Sequence, residues 1–248
     1  MFTKDKLLEQ LSVMGIDKTG TLKIHFSYKA MGEIEGGPNT VIEVLTEYMK
    51  DGLLVIPTHT WRDVKKENPI FDVFHSPSCI GLLTELFRKH PQAVRSLHPT
   101  HSVIAIGADA QNFVKNEESL QTPCGQNGVY HKLWQKNAQI LLVGVNFSRN
   151  TFIHGIEEWD GAKDTISKTR EDYYTINHEG HRIHTPQYRH CARIGSDTFT
   201  KIEPLAYEKK LLKFSKFGNA TTRLMQAKPI RELVAQHLNE DAYYLNDY

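Results

Sequence analysis

Three short, almost unbroken apolar runs constrain this chain more than anything else in it: LLVIPT (Leu53 to Thr58), SVIAIG (Ser102 to Gly107) and ILLVGV (Ile140 to Val145). A strand reads this way when both faces of its sheet are covered, as they are in parallel sheets. Segments of helical periodicity lie between and around them. DKLLEQLSVMGI opens the chain as an amphipathic helix ending in glycine, and TLKIHFS alternates like a strand. GGPNTVIEVLTEYMKDG then reads as a helix with Pro38 near its start, Asn39 or Thr40 as its cap and Gly52 at its end. IGLLTELFRKH and GVYHKLWQK are further helices. Strands alternating with helices as far as Trp159 imply an α/β fold, with a mainly parallel central sheet and helices on both faces.

Beyond Trp159 the character changes. DYYTINHEGHRIHTPQYRHC predicts a C-terminal antiparallel hairpin region turning at HEGH. LAYEKKLLKFSKFG and KPIRELVAQHL read as helices separated by the strand ATTRLMQ, and Trp61 to Ser78 reads as an excursion over the surface. No internal repeat or low-complexity linker interrupts the chain, so a single domain over residues 1–248 is expected.

Composition removes several function classes. Apolar residues at 40% and charged residues at 24% are ordinary globular usage and exclude a disordered or fibrous chain. A net charge of +1 without any block of five like charges argues against nucleic acid as a partner. MFTKDKLLEQL carries charge where a signal peptide needs an apolar core, and no run approaches the ~18 apolar residues of a membrane span, so the expected location is cytoplasmic, away from any membrane. Cys79, Cys124 and Cys191, odd in number and widely spaced, fit neither a disulfide framework nor zinc knuckles and read as reduced thiols.

Sheets of this kind bind ligands beyond the carboxyl ends of their strands. After the first strand, Gly32, Gly36 and Gly37 sit in a polar loop feeding a helix, which suits either a tight turn or backbone N–H groups approaching a phosphate. In RSLHPTHS, Arg95 and Ser96 supply a charged fork and a hydroxyl, suited to phosphate oxygens or, in the plainer reading, to a surface carboxylate. TFIHGIEEW, Thr151 to Trp159, sets His154 and Glu157 on one helix face. Three readings compete there: a metal-ligand pair, a catalytic base with its orienting acid, and an ordinary surface helix. Two ligands without H-E-x-x-H spacing make metal the weakest, and His178, His181 and His184 fall on alternating faces of the hairpin, so no metal is expected.

Taken in order, IHFSYKAMGEIEGG, LLVIPT, GLLTELFR, RSLHPTHSVIAIG, ILLVGV, TFIHGIEEW and a late GNATTRL closely resemble the aminoglycoside 3-N-acetyltransferases, also called the antibiotic N-acetyltransferases. The resemblance runs over nearly the whole chain. It implies transfer of acetyl from acetyl-CoA, as co-substrate, to an amine of an aminoglycoside or related small molecule, directly within a ternary complex. By that similarity Ser27, Gly32, Gly37, Arg95 and Ser96 lie along the CoA phosphates and pantetheine. His154 and Glu157 match the histidine and acid of the family's T-x-x-H-x-x-E motif, opened by Thr151. An imidazole, with an ordinary pKa of ~6.5, suits removal of a proton from the amine, and Glu157 would orient it; a backbone N–H or the Thr151 hydroxyl would stabilise the oxyanion.

The chain also departs from the family pattern. His25-Phe26-Ser27 stands where members carry H-S-S, PCGQNGV stands where many read S-P, and Gln187 and Arg189 stand where carboxylates are expected to meet a polycationic drug. Those departures leave the acceptor open. They also keep two other readings: a metal-dependent hydrolase built on His154 and Glu157 with His59 or His98, and a CoA-binding member of the fold without catalysis. The oligomeric state is open, a homodimer being one candidate.

Overall fold

The computed structural model describes residues 1–191 and 196–246. In chain order its helices are α1 (Lys4–Met14), α2 (Pro38–Tyr48), α3 (Leu82–Arg88), α4 (Ala110–Phe113), α5 (Val129–Gln135), α6 (Phe152–Trp159), α7 (Ile202–Glu208) and α8 (Ala227–Glu240). Its strands are β1 (Thr21–Phe26), β2 (Leu53–Pro57), β3 (Ile70–Asp72), β4 (Val94–Arg95), β5 (Val103–Gly107), β6 (Gln139–Val143), β7 (Tyr174–Ile176), β8 (Arg182–His184), β9 (Lys213–Phe217) and β10 (Ala220–Gln226). Seven strands form one sheet in the order β4-β5-β2-β1-β6-β10-β9, and β3-β7-β8 form a smaller one.

The continuous apolar runs are explained by two cores, one on each side of the large sheet. Leu53, Val55, Ile140 and Leu142 face α5, α6 and α8, while Leu54, Ile56, Leu141 and Val143 face α1, α2 and α3. Each strand therefore buries alternate residues on opposite faces, and helices cover both faces as expected. α2 shows the helical counterpart: Val41, Val44, Leu45 and Tyr48 are all buried on one face, each apolar side chain contributing about 1.5–3 kcal/mol. Gly37, rather than Asn39 or Thr40, occupies its N-cap, and Pro38 takes the first helical position, where its missing N–H costs nothing.

Parallel pairing is confined to the three central strands: β1 runs parallel to β2 and to β6. β5 and β10 flank them antiparallel, and β4 and β9 pair antiparallel with β5 and β10 in turn. The expected hairpin region is present as antiparallel β7 and β8, and β3 joins it in parallel. Two elements depart from the sequence expectation. Trp61 to Ser78 is no bare surface excursion, because Val64, Phe71 and Val73 bury with Tyr173 in a third small core. The helix expected over LAYEKKLLKFSKFG stops at Glu208, and KFSKF becomes β9, paired to β10 across Gly218 and Asn219. Gly218 has φ +59, and the Gly-Asn pair makes a two-residue hairpin that the helical pattern of leucines obscured. Among the described residues no helix is long and apolar enough to cross a membrane.

The carboxyl ends of β1, β2 and β6 point the same way, and the segments leaving them converge. Gly144, one residue beyond β6, has φ +65, and a Cβ there would lie 2.5 Å from the Ala30 Cβ and 3.3 Å from the Ser27 Cβ. The chain leaving β1 thus rests directly on the chain leaving β6. Gly144→Ala is expected to lower the unfolding free energy by about 1–3 kcal/mol, read as a lower midpoint in thermal unfolding; an unchanged midpoint would mean that the two segments separate freely.

Candidate active site

At those converging ends lies a cavity of about 700 Å³. Its wall draws His25 and Phe26 from the end of β1, His59 and Trp61 from the segment after β2, His101 from the segment before β5, and Thr151 and His154 from α6. Backbone hydrogen bonds carry the β2–β5 ladder past the strands, Thr58 N–H to the Ser102 carbonyl at 2.8 Å and Thr60 N–H to the Thr100 carbonyl at 3.0 Å. They fix His59 and His101 side by side, ring centroids 4.6 Å apart.

α6 carries the centre of the site. Phe152, Ile153 and Ile156 bury completely and pin the helix to the sheet, and the Asp160 carboxylate at its end takes two hydrogen bonds from the Arg231 guanidinium at 2.9 Å. His154 and Glu157, one turn apart on the flank, meet at 2.7 Å between Nδ1 and Oε2. Glu157 is 1% exposed and His154 17%, so the acid lies behind the imidazole and the imidazole reaches the cavity. With Nδ1 engaged by a carboxylate, Nε2 is the nitrogen left for chemistry.

The His154 ring is held from both sides: His190 stacks on it at 4.1 Å and 24°, and Phe199 meets it edge-on at 4.7 Å. His190 has its own acid, with Nε2 2.8 Å from Glu158 Oε1. Glu158 also accepts from the Thr122 hydroxyl at 2.6 Å and from the Cys124 N–H at 2.9 Å. Two consecutive glutamates on α6 thus hold two stacked histidines. Burial pushes the Glu158 carboxyl up to about 7 and His190 well below the ordinary histidine range, so near neutral pH the imidazole is uncharged and the carboxyl is about half protonated.

The rest of the floor is also neutral. Burial holds His25, His59 and His101 well below the ordinary imidazole range, and His98 at about 4. His59 Nε2 lies 2.8 Å from the Tyr130 hydroxyl, whereas His25 Nε2 is buried without a hydrogen-bond partner among the described residues, at the cavity wall. Beneath them Lys23, fully buried on the same face of β1, reaches Asn150 Oδ1 at 3.4 Å, and burial drives its ammonium well below the usual lysine range.

The other expected site residues are placed differently. Thr151 stands in the wall, but Ser27, Gly32, Gly37, Arg95 and Ser96 are not among the residues lining the cavity. Arg95 is 4% exposed, and its guanidinium donates to the carbonyls of Thr58, Val73 and Ser76 and toward the hydroxyls of Thr58 and Ser102. Its fork ties the segment after β2 to the small sheet, and its partners there are backbone carbonyls and hydroxyls rather than a surface carboxylate. Ser96 is likewise buried, its hydroxyl accepting from the Val103 N–H at 3.0 Å. Ser27 and Gly32 border a second, open groove lined in part by Ala30, Gly144, Arg149 and Asn219; a Cβ on Gly32 would meet the Asn219 amide at 2.5 Å. Gly37 has φ +69 and serves the entry to α2.

The metal alternative loses its ligands. His98 Nδ1 accepts from the Thr100 and His101 N–H groups and so shapes its own loop, His59 is engaged by Tyr130, and Glu157 lies behind His154. The described residues that come close enough to hold an ion are Cys124, Glu158 and His190, a different set from the one expected, and there Glu158 already accepts from the Thr122 hydroxyl and the Cys124 N–H and meets His190 Nε2. The sequence reading missed Glu158, His190, His101, Tyr130 and Lys23. The Glu-Glu doublet and the matched THT and THS triplets at residues 58–60 and 100–102 were the available signals.

With this geometry in view, the comparisons with known proteins are decisive for the family. The family model for aminoglycoside 3-N-acetyltransferases matches residues 24–239. The chain belongs to the aminoglycoside 3-N-acetyltransferase family. That family is one of acyltransferases, and membership implies acetyl-CoA as co-substrate, as expected from the sequence. A Bacillus subtilis (strain 168) relative, the SPβ prophage-derived aminoglycoside N(3')-acetyltransferase-like protein, is 28% identical over 61% of this chain and 63% of its own length. A mutant of the aminoglycoside acetyltransferase AAC(3)-IVa, in complex with a gentamicin, superposes with a TM-score of 0.86 at 23% identity over 100% of this chain and 92% of that one. AAC-IIIb, binary with CoASH, superposes with a TM-score of 0.84 at 20% identity over 96% of this chain and 97% of that one. At these identities the superpositions establish the shared fold.

The second histidine–glutamate pair has a consequence for stability. Because burial raises the Glu158 carboxyl above its unfolded value, the native state binds this proton more tightly; the stability it contributes is fully present below about pH 4.5 and is lost as pH rises through about 7. Glu158→Gln is expected to flatten the fall in unfolding free energy between pH 5 and 8 by up to about 3 kcal/mol, measured by urea unfolding across that range; an undiminished slope would assign it to other groups.

Proposed function

We propose that this family member is an acetyl-CoA-dependent N-acetyltransferase in which His154 is the general base, Glu157 its orienting acid, and the acetyl group passes directly to an amine. The observation that carries the proposal is the 2.7 Å hydrogen bond that a fully buried carboxylate accepts from the Nδ1 edge of an imidazole whose other edge opens on the cavity. Such a carboxylate sets the tautomer, presents Nε2 as the acceptor and stabilises the imidazolium that forms.

In the step so catalysed, the amine nitrogen attacks the thioester carbonyl as His154 Nε2 takes the amine proton. The tetrahedral intermediate collapses with cleavage of the carbon–sulfur bond, and the imidazolium returns the proton to the departing CoA sulfur. Stacking His190 against His154 favours this cycle because His190 is uncharged, so the imidazolium forms beside a neutral ring. The Thr151 hydroxyl in the wall and the partnerless His25 Nε2 are the groups we assign to the thioester carbonyl or the pantetheine amides.

For the cofactor we assign the open groove that shares Val145, Ser148 and Arg149 with the main cavity. Its border with Ser27 and Gly32 supports a cofactor role for that loop, and exposed Arg149 suits a phosphate. The acetyl-CoA arm then reaches His154 from one side and the amine from the other. Arg95 and Ser96 act in this scheme through the position of the Thr58 to Trp61 wall and touch no cofactor. A cytoplasmic location and a small-molecule amine as partner belong to the same proposal.

His154→Ala is expected to bind acetyl-CoA in calorimetry while CoA release with an active amine falls by about 10²–10⁴-fold. Glu157→Gln, of nearly equal size, loses about 10²-fold or more by presenting the wrong proton to Nδ1. Turnover of His154→Ala within about tenfold of the parent, a ratio inside that of a displaced but dispensable side chain, overturns the assignment.

A further inference from the structure

The charge of the cavity wall bears on the acceptor. No described residue lining the cavity is an aspartate or glutamate. Glu157 and Glu158 stand behind His154 and His190, and Asp63, two residues from Trp61, lies 3.6 Å from Arg62. The formal charges in the wall are the guanidinium groups of Arg149 and Arg189. The cavity histidines other than His154 are kept neutral by burial, so among the described residues the lining itself holds no anion beside those two charges, and Glu171 reaches Arg189 only from outside the lining.

Arg189 is held in a defined pose. Its Nη2 donates to the Trp61 carbonyl at 3.0 Å and its Nη1 lies 3.8 Å from Glu171 Oε2, an oxygen that also accepts the Tyr173 hydroxyl. The backbone beneath it is pinned by its own N–H to the Ser167 hydroxyl at 2.9 Å and by the Glu171–Gln187 bridge. Arg189 immediately precedes His190, whose ring stacks on His154, and all three residues line the one cavity. Gln187 contributes no charge: it is buried, with its amide donating to the Leu120 carbonyl.

Resting on the acetyltransferase reading above, we infer that the acceptor is an amine whose body carries an oxyanion, a carboxylate or a phosphate, docked on Arg189 with its nitrogen at His154. A planar guanidinium beside a neutral floor recognises such a group with charge-assisted hydrogen bonds, and in a desolvated cavity these count for more than in water. The same cation lowers the pKa of a nearby ammonium and so raises the fraction of amine present as the free nucleophile. A polycation meets the opposite situation, since each of its ammonium groups would be desolvated against arginine with no carboxylate to pair it. The reaction is unchanged in its balance: a nitrogen–carbon bond forms, the carbon–sulfur bond breaks, and the amine proton ends on the CoA thiol by way of His154.

The test measures CoA release from acetyl-CoA with β-alanine, O-phosphoethanolamine, propylamine and gentamicin as separate acceptors, alongside calorimetry of acetyl-CoA binding. The expected result is kcat/KM for one or both oxyanion-bearing amines at least about tenfold above propylamine, with gentamicin no better than propylamine. Whichever of the first two dominates identifies the oxyanion as carboxylate or phosphate. In Arg189→Gln the ratio of oxyanion-bearing amine to propylamine is expected to collapse toward one, and in Arg189→Lys to survive in part; if Arg189→Gln does not fold, the lysine variant and the parent ratios decide. A parent ratio near one, a preference for gentamicin, or a ratio that persists in Arg189→Gln overturns the inference while leaving the acetyltransferase reading intact. Acetyl-CoA that binds without being consumed by any of the four overturns it too. Failure of acetyl-CoA to bind at all overturns both.

Discussion

The hydrogen bond between Glu157 and His154 is the contact on which the site depends, because it is what allows a carboxylate to be almost wholly removed from water. At 1% exposure Glu157 gives up nearly all of its hydration, and the single protein partner that repays this is an imidazole edge at 2.7 Å. Its other oxygen is buried without a hydrogen-bond partner among the described residues. The hydrogen bond to His154 is thus what offsets the desolvation of this carboxylate, and a side chain that took the imidazole away would leave it buried with no described partner.

Holding that geometry is a matter of helix mechanics. A residue at i and one at i+3 meet only if the helix is regular between them, and α6 is kept so by complete burial of Phe152, Ile153 and Ile156 and by the Arg231 fork on Asp160. Gly155 adds a constraint of its own: a Cβ there would lie 2.6 Å from the Trp159 ring, whose indole N–H donates to the Cys124 carbonyl at 2.7 Å. The segment holding Cys124 also supplies the N–H that meets Glu158. One helix and one loop thus fix both histidine–glutamate pairs, and a disturbance of either reaches both rings.

The sheet order explains which parts of this were readable beforehand. Strand positions were legible because the two-sided burial of β2, β5 and β6 leaves no polar residue to interrupt the runs, and the direction of β5 was not, because a strand apolar on both faces looks the same whichever way it points. The motif T-x-x-H-x-x-E marked His154 and Glu157, and helical spacing put them on one face. His190 lies 36 positions further along in sequence, beyond the small sheet, so no local pattern joins it to His154; only the packing of the Gln187 to Cys191 segment against α6 does so. The surroundings of Arg95 were illegible for a related reason. An arginine followed by serine has the same appearance whether its fork meets phosphate or three backbone carbonyls, and burial, which distinguishes them, is a property of the fold.

Lys23 shows how far the neutral character of the site extends. A fully buried lysine on the strand that also carries His25 would, if charged, oppose any cation formed above it, and burial lowers its pKa well below the usual lysine range, in the direction that lessens that repulsion. Its hydrogen-bond partner among the described residues, Asn150, is itself fully buried at the approach to α6, so the amine and the amide tie β1 to the helix that carries His154. Keeping the interior neutral leaves the polarity of the cavity to its rim, where Arg149 and Arg189 stand on opposite connections, one leaving β6 and the other leaving the small sheet. The Glu157–His154 hydrogen bond lies within α6, whereas Arg189 lies on the segment that brings His190 onto His154, so the charge of the rim and the packing of the stacked rings are coupled through one short stretch of chain.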